Sequence, residues 1–177
     1  MIKRKQTTLN IMVGGSMGLG KTSFINTLLN NHIINITNTK ENIINVYSIN
    51  LPIKHTKQLN IITLPPLNYN INDEDLHLNI ENYITQQYNI FLEEETKIKR
   101  NSDFKDTRVN LLLYFIGSAG LKESDVVFLK RVSNIVNVIP VIGKSDQITT
   151  EEVTKLRKKV KKQALDHEIR FYRFCKD

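Results

Sequence analysis

Short runs of apolar residues alternate along the chain with longer stretches in which apolar positions recur every three or four residues. LNIMV at residues 9–13 has the length and composition of a buried strand. A helix is predicted over residues 22–31, with Phe24, Ile25, Leu28 and Leu29 on one side. Residues 32–57 carry less pattern, with strand-like pieces at 43–49. Another strand is predicted at 59–64. A long amphipathic helix follows over 78–100, its stripe formed by Ile80, Tyr83, Ile84, Tyr88, Phe91, Leu92 and Ile98. Residues 109–116 read as a buried strand. The next helix opens near Ser124 or Asp125 and carries Val126, Val127, Leu129 and Val132. A strand at 135–142 comes next. TTEE at 149–152 has the form of a capping box opening a helix, with Val153, Leu156 and Val160 as its stripe. A last strand is predicted at 169–174. Strands alternating with helices predict a three-layer α/β domain around a mostly parallel sheet. Such a sheet takes ligands at the carboxyl ends of its strands.

The first strand runs into GSMGLGKT at residues 15–22, which fits G-x-x-x-x-G-K-[ST]. Phosphate oxygens are best met by a ring of backbone N–H groups, so the loop must wrap tightly and carry little bulk where it approaches. Gly15, Gly18 and Gly20 permit that, and Lys21 can reach the β- and γ-phosphates. The Thr22 hydroxyl is the candidate Mg²⁺ ligand, and the helix that follows aims its positive end at the phosphates. The residues assigned to the nucleotide here are Gly15, Ser16, Met17, Gly18, Leu19, Gly20, Lys21, Thr22 and Ser23.

GKSD at residues 143–146 follows the strand at 135–142. A Lys-x-Asp at a strand's carboxyl end can read guanine. The Asp146 carboxylate would accept hydrogen bonds from N1–H and the 2-amino group, and the Lys144 stem would pack on the base. Adenine has neither donor at that edge.

Composition narrows the setting. The 177 residues suffice for one domain with a core, and a net charge of +7 favours an anionic partner. Much of that charge lies at Lys3, Arg4 and Lys5 and on Lys155, Arg157, Lys158, Lys159, Lys161 and Lys162. The helical cluster reads as a solvated face; the N-terminal one is a candidate contact for acidic membrane lipids. Nucleic acid is not expected, because no aromatic residues interleave the basic ones and no reader motif is present. The single cysteine, Cys175, excludes an internal disulfide and a cysteine zinc site, which fits a reducing, cytoplasmic location. His32, His55, His77 and His167 lack metal-ligand spacing. The abundance of asparagine and isoleucine reads as compositional bias.

Four stretches together carry a family resemblance: NIMVGGSMGLGKTSFINTLL, NYITQQYNIFLEEETKIKR, DTRVNLLLYFIGSAGLKESD and NVIPVIGKSDQITTEE. The chain resembles the GTP-binding domain of septins over most of residues 9–174. The resemblance implies a Ras-like P-loop NTPase fold, bound GTP or GDP with Mg²⁺, and assembly with other septin subunits into filaments at acidic membranes. It also implies a role in cytoskeletal organisation, cell division and cytokinesis. Residues 1–177 are expected to form a single septin-type G domain without the C-terminal helices and the septin-specific element of the family.

The departures bear on chemistry. Where the family carries Asp-Thr-Pro-Gly, this chain has Thr63, Leu64, Pro65 and Pro66. The aspartate would orient Mg²⁺ through water and the glycine N–H would meet the γ-phosphate. Thr63 has no charge and Pro66 has no N–H. Asp73 and Asp75, a few residues on, read as surface charges. Thr37 and Thr39 are the candidates for a supporting threonine, and SAGLKESD lacks the family's His-Gly pair. These departures favour a protein that holds guanine nucleotide with slow or absent hydrolysis. The alternatives are an active Mg²⁺-dependent GTPase and a remnant that binds no nucleotide.

Overall fold

The protein is described from a computed structural model over residues 7–28, 44–50, 56–67, 74–99, 101 and 104–174. Lys3, Arg4, Lys5, His32, Thr37, Thr39, His55, Asp73 and Cys175 lie outside the described residues. The elements run β1 (Thr7–Gly15), α1 (Lys21–Leu28), β2 (Asn45–Asn50), β3 (Thr56–Thr63), α2 (Glu74–Thr96), β4 (Leu111–Ile116), α3 (Glu123–Val132), β5 (Asn137–Ile142) and α4 (Thr150–Asp166). The five strands form one sheet in the order β2-β3-β1-β4-β5. Only β2 is antiparallel, pairing with β3 at the edge. The α/β architecture is the one the alternation predicts.

The apolar positions sort onto two faces. On one, Met12, Ile62, Leu112, Tyr114 and Val138 pack with Leu76, Ile80, Ile84, Phe128, Leu129, Val132, Leu156 and Val160 of α2, α3 and α4. On the other, Val13, Leu59, Ile61 and Phe115 pack with Ile25 of α1. Strand side chains alternate in direction, so neighbours such as Met12 and Val13 serve opposite faces.

Several predicted boundaries move, each for an identifiable reason. The long helix starts a turn earlier than 78, with Glu74 and Asp75 in its first turn complementing the macrodipole and Leu76 and His77 buried. It stops at Thr96 rather than reaching residue 100. The Glu94 carboxylate accepts from the Asn101 N–H and Lys97 Nζ, both at 2.7 Å, and turns the chain. Ile98 therefore falls outside the helix and is fully exposed, and Leu92 is also exposed. In α3, Phe128 takes the inward place expected of Val127, which is exposed. The regular part of β4 begins at Leu111, not 109, because the Asn110 side chain accepts from the Asn10 N–H at 2.8 Å.

Asn10 is itself buried. Its Nδ2 donates to the Asp106 and Arg108 carbonyls at 2.9 and 2.7 Å, and its Oδ1 accepts from Asn60 Nδ2 at 2.7 Å. A buried amide must find partners or cost stability. Here it finds them across β3, β1 and the entry to β4, so at least these asparagines are more than bias.

The predicted last strand is corrected. Residues 169–174 make one parallel bridge, Val138 to Phe171, with Tyr172 N–H donating to the Val138 carbonyl at 2.8 Å. Ile169 N–H instead closes the end of α4 on the Ala164 carbonyl, and Arg170 N–H reaches Ser133 Oγ. The capping box is present as predicted. Thr149 N–H donates to Glu152 Oε2 at 2.8 Å and Glu152 N–H to Thr149 Oγ1 at 3.3 Å. These bonds hold the Glu152 carboxyl below its ordinary range, the Thr149 backbone first and its hydroxyl second.

Candidate functional site

Parallel pairing brings the carboxyl ends of β3, β1, β4 and β5 to one edge of the sheet. The loop between β1 and α1 lies at its centre. Gly15, Gly18 and Gly20 all have positive φ, at 121°, 77° and 83°. Gly15 has a second constraint: a Cβ there would lie 2.3 Å from the Phe115 carbonyl oxygen. Around Gly18 and Gly20 the space is open, so their requirement is conformational. Met17 and Gly18 form the exposed crest. The Leu19 side chain turns inward against the Val13, Ile25 and Phe115 cluster, leaving its backbone N–H as what it can offer an anion.

Lys21 opens α1, and its Nζ donates to the carbonyls of Gly15 and Ser16 at 2.8 and 2.6 Å. The ammonium is thus held over the loop it belongs to. Burial lowers its pKa to about 8. No acidic residue stands in the first turn of α1, so its own side chains leave the helix's positive end free to favour an anion. Thr22 and Ser23 are exposed at that same end. A tight loop with left-handed glycines, a desolvated lysine and a helix N-terminus fit the phosphates of a nucleotide, and Thr22, exposed beside them, is the residue that would hold Mg²⁺.

The exit of β5 reaches this loop directly. A Cβ on Gly143 would stand 2.7 Å from the Leu19 carbonyl oxygen and 3.0 Å from its Cβ. Gly143 N–H donates to the Ile116 carbonyl at 2.9 Å. Lys144 then takes a left-handed conformation, φ 52° and ψ 40°, and Ser145–Gln147 form a single 3₁₀ turn. Lys144 and Asp146 are both exposed at the edge where the phosphate loop ends. Sequence reasoning singled out Lys144 and Asp146 as candidates but gave Gly143 no role. The signal was a glycine where the septin pattern has alanine.

The exit of β3 lies on the other side. Thr63 pairs with Val13 in the ladder, and its hydroxyl makes a long 3.5 Å contact to the Asn45 carbonyl of β2. Leu64 N–H donates to the Val13 carbonyl at 3.0 Å. A Cβ on Gly14 would come within 2.9 Å of the Leu64 side chain. Leu67 forms a parallel bridge with Ser16 and is 2 % exposed. Leu67 had no motif to announce it. Asp75 is exposed, as a surface charge should be, while His77 is buried with its ring 5.2 Å from that of Phe128.

Beyond β4, the turn at 118–122 is tied to α4. Leu121 N–H donates to Gln163 Oε1, Gln163 Nε2 to the Leu121 carbonyl, and Lys159 Nζ to the Ala119 carbonyl. Lys159 is therefore a strut, while Lys155, Arg157, Lys158, Lys161 and Lys162 form the exposed face expected of that helix. Among the described residues no helix is long and apolar enough to cross a membrane.

The family model described as Septin matches residues 5–177. The chain belongs to the septin family. It is 35 % identical over 175 residues to Cell division control protein 11 of Encephalitozoon cuniculi, covering 97 % of this chain and 65 % of that septin relative. It is 38 % identical over 174 residues to Neuronal-specific septin-3 of Rattus norvegicus, covering 92 % of this chain and 49 % of the relative. The septin chain thus spans less than two thirds of these relatives. Among solved structures, it superposes on Cdc11 from Saccharomyces cerevisiae with a TM-score of 0.68 at 30 % identity, over 97 % of this chain and 68 % of the other. A septin GTPase domain from Chlamydomonas reinhardtii gives a TM-score of 0.73 over 96 % of this chain and 67 % of that one. At 20 % identity this second likeness speaks for the fold alone.

Proposed function

We propose that this septin-family chain binds guanine nucleotide as a structural ligand and holds it rather than turning it over. Gly15 to Ser23 would cradle the phosphates, Lys21 would neutralise them, and Thr22 would share Mg²⁺ with them. Lys144 and Asp146 would take the base. The two loops are rooted on strands two spacings apart, about 10 Å, a gap that the nucleoside bridges.

The observation that carries the reading is the exit of β3. Thr63 and Pro66 stand beside an intact phosphate loop, where hydrolysis needs a carboxylate near Mg²⁺ and an N–H on the γ-phosphate. Losing one preorganised donor costs ~10²–10³ in rate, and phosphoryl transfer rests on positioning and electrostatics. Two losses together leave little catalysis.

The working form is then a scaffold subunit of the cytoplasmic cytoskeleton, assembling with other septins in cell division. The names of the Encephalitozoon cuniculi relative and of Septation protein 7 of Candida albicans, 36 % identical over 203 residues, support that direction. Residues 1–177 act as one G domain, with Lys3, Arg4 and Lys5 as its contact to acidic lipids. The test is extraction and identification of nucleotide from the purified chain. Guanine nucleotide at about one per chain is expected. A chain that carries none and fails to bind added GTP or GDP contradicts the reading. Cosedimentation with partner septins, and with vesicles containing phosphoinositide, tests the scaffold and lipid roles separately.

A further inference from the structure

We infer that residues 63–67 form a fixed clamp on the phosphate loop, so this segment does not sense the bound nucleotide's third phosphate. The inference rests on the nucleotide-holding reading above and specifies how that site behaves.

A segment that reports the third phosphate needs two things: a group that contacts only that phosphate, and a backbone with two arrangements. In this segment Thr63, Pro65 and Pro66 supply no such group, and the packing of its ends opposes a second arrangement. Thr63 turns its hydroxyl toward the Asn45 carbonyl of the edge strand. Pro65 and Pro66 carry no N–H and have φ fixed by their rings. The next residue, Leu67, is bridged to Ser16 and buried, so the chain there is committed to packing beneath the loop.

Both ends are also anchored. Leu64 and Leu67 are 5 % and 2 % exposed and belong to the same core as Met12, Ile80 and Ile84. Swinging the segment toward a phosphate would draw two leucines out of that core and break the Leu64 N–H to Val13 bond. The anchors act on the loop itself: Leu64 packs under Gly14, and Leu67 pairs with Ser16. Leu64 and Leu67 are therefore positioning residues. They hold the phosphate loop in one shape whether two or three phosphates are bound. What remains at that end, Lys21 and the loop amides, would engage the second phosphate whether or not a third is present. The stored function is rigidity, suited to a ligand that is part of the structure.

The test is hydrogen exchange across residues 59–67 in the full chain, loaded with GDP or with the non-hydrolysable analogue GMPPNP, both with Mg²⁺. Binding of each nucleotide is first established by calorimetry. The Leu64 and Leu67 amides should exchange at rates within about threefold of each other in the two states. A difference of about tenfold or more between the two states would overturn the inference while leaving nucleotide binding intact. Failure to bind either nucleotide would remove the underlying reading and this inference with it. The double variant Thr63→Asp, Pro66→Gly supplies the missing carboxylate and N–H. It should make exchange in this segment nucleotide-dependent and tighten GMPPNP binding about tenfold, the worth of one charge-assisted hydrogen bond. A folded double variant that stays insensitive would also count against the account. The wild-type comparison decides the matter should the variant not fold.

Discussion

The exits of β3 and β5 flank the same phosphate loop and have taken opposite courses. Both touch the loop's backbone, Leu64 and Leu67 at Gly14 and Ser16, Gly143 at Leu19. The β3 exit at residues 64–67 is apolar and proline-stiffened, with Leu64 and Leu67 buried. The β5 exit is polar, left-handed at Lys144 and exposed. On the proposed reading, the phosphate side relies on packing where the family has hydrogen-bonding groups, while the base side offers its polar groups in the open.

The contrast can be broken most severely at Leu67. Leu67→Ala removes a buried anchor and should destabilise the chain by about 2–5 kcal/mol, seen as a lower urea midpoint at unchanged slope. The matched change on the other side, Ser145→Ala at an exposed turn, should stay within about 0.5 kcal/mol. Comparable losses would erase the distinction between a packed exit and an open one. Next comes Lys21→Ala, which should weaken GDP and pyrophosphate alike by about a hundredfold, since it removes charge-assisted bonds common to both. A loss confined to GDP would move the phosphate contact elsewhere.

Gly143→Ala sharpens the β5 side. Its Cβ meets main-chain atoms of Leu19, so an overpacking cost of about 1–3 kcal/mol is expected, expressed as weaker nucleotide binding by calorimetry. Full retention of affinity would show that the loop gives way freely there.

The smallest effect is that of pH. An anion binds the protonated Lys21, whose free-state pKa is about 8. GDP affinity should be level below pH 8 and fall above it by up to about tenfold per pH unit. The free chain should respond in the opposite sense. Its folded pKa lies below the ordinary lysine value of 10.5, so the unfolded chain binds more protons between about 8 and 10.5. Lys21 therefore adds stability as pH rises through that window. Affinity and stability that moved together would contradict the assignment.

Much of the candidate site was legible in the sequence because it is written locally. The glycine spacing at 15–20, Lys21, the Lys144 and Asp146 pair, and the Thr149 and Glu152 cap each act within a few residues. The substitution at Thr63 and Pro66 was equally readable, since proline's missing N–H needs no structure to be known. What escaped depends on distant partners. Leu67 looks like any apolar residue until Ser16 is found beside it. Gly143 matters because Leu19 arrives from 124 positions away in sequence. Asn10 is a polar residue in a strand until Asn60, Asp106, Arg108 and Asn110 surround it. The strand expected at 169–174 failed for a related reason: its apolar pattern was real, but α4's end and Ser133 claimed two of its amides.

The central claim is that this septin holds guanine nucleotide without consuming it. Single-turnover phosphate release from GTP-loaded chain with Mg²⁺ tests it most directly, with the Lys21→Ala chain as background. The account predicts that wild type releases phosphate no faster than that background while GTP stays bound. Release that is clearly faster in wild type and vanishes with Lys21 would contradict it.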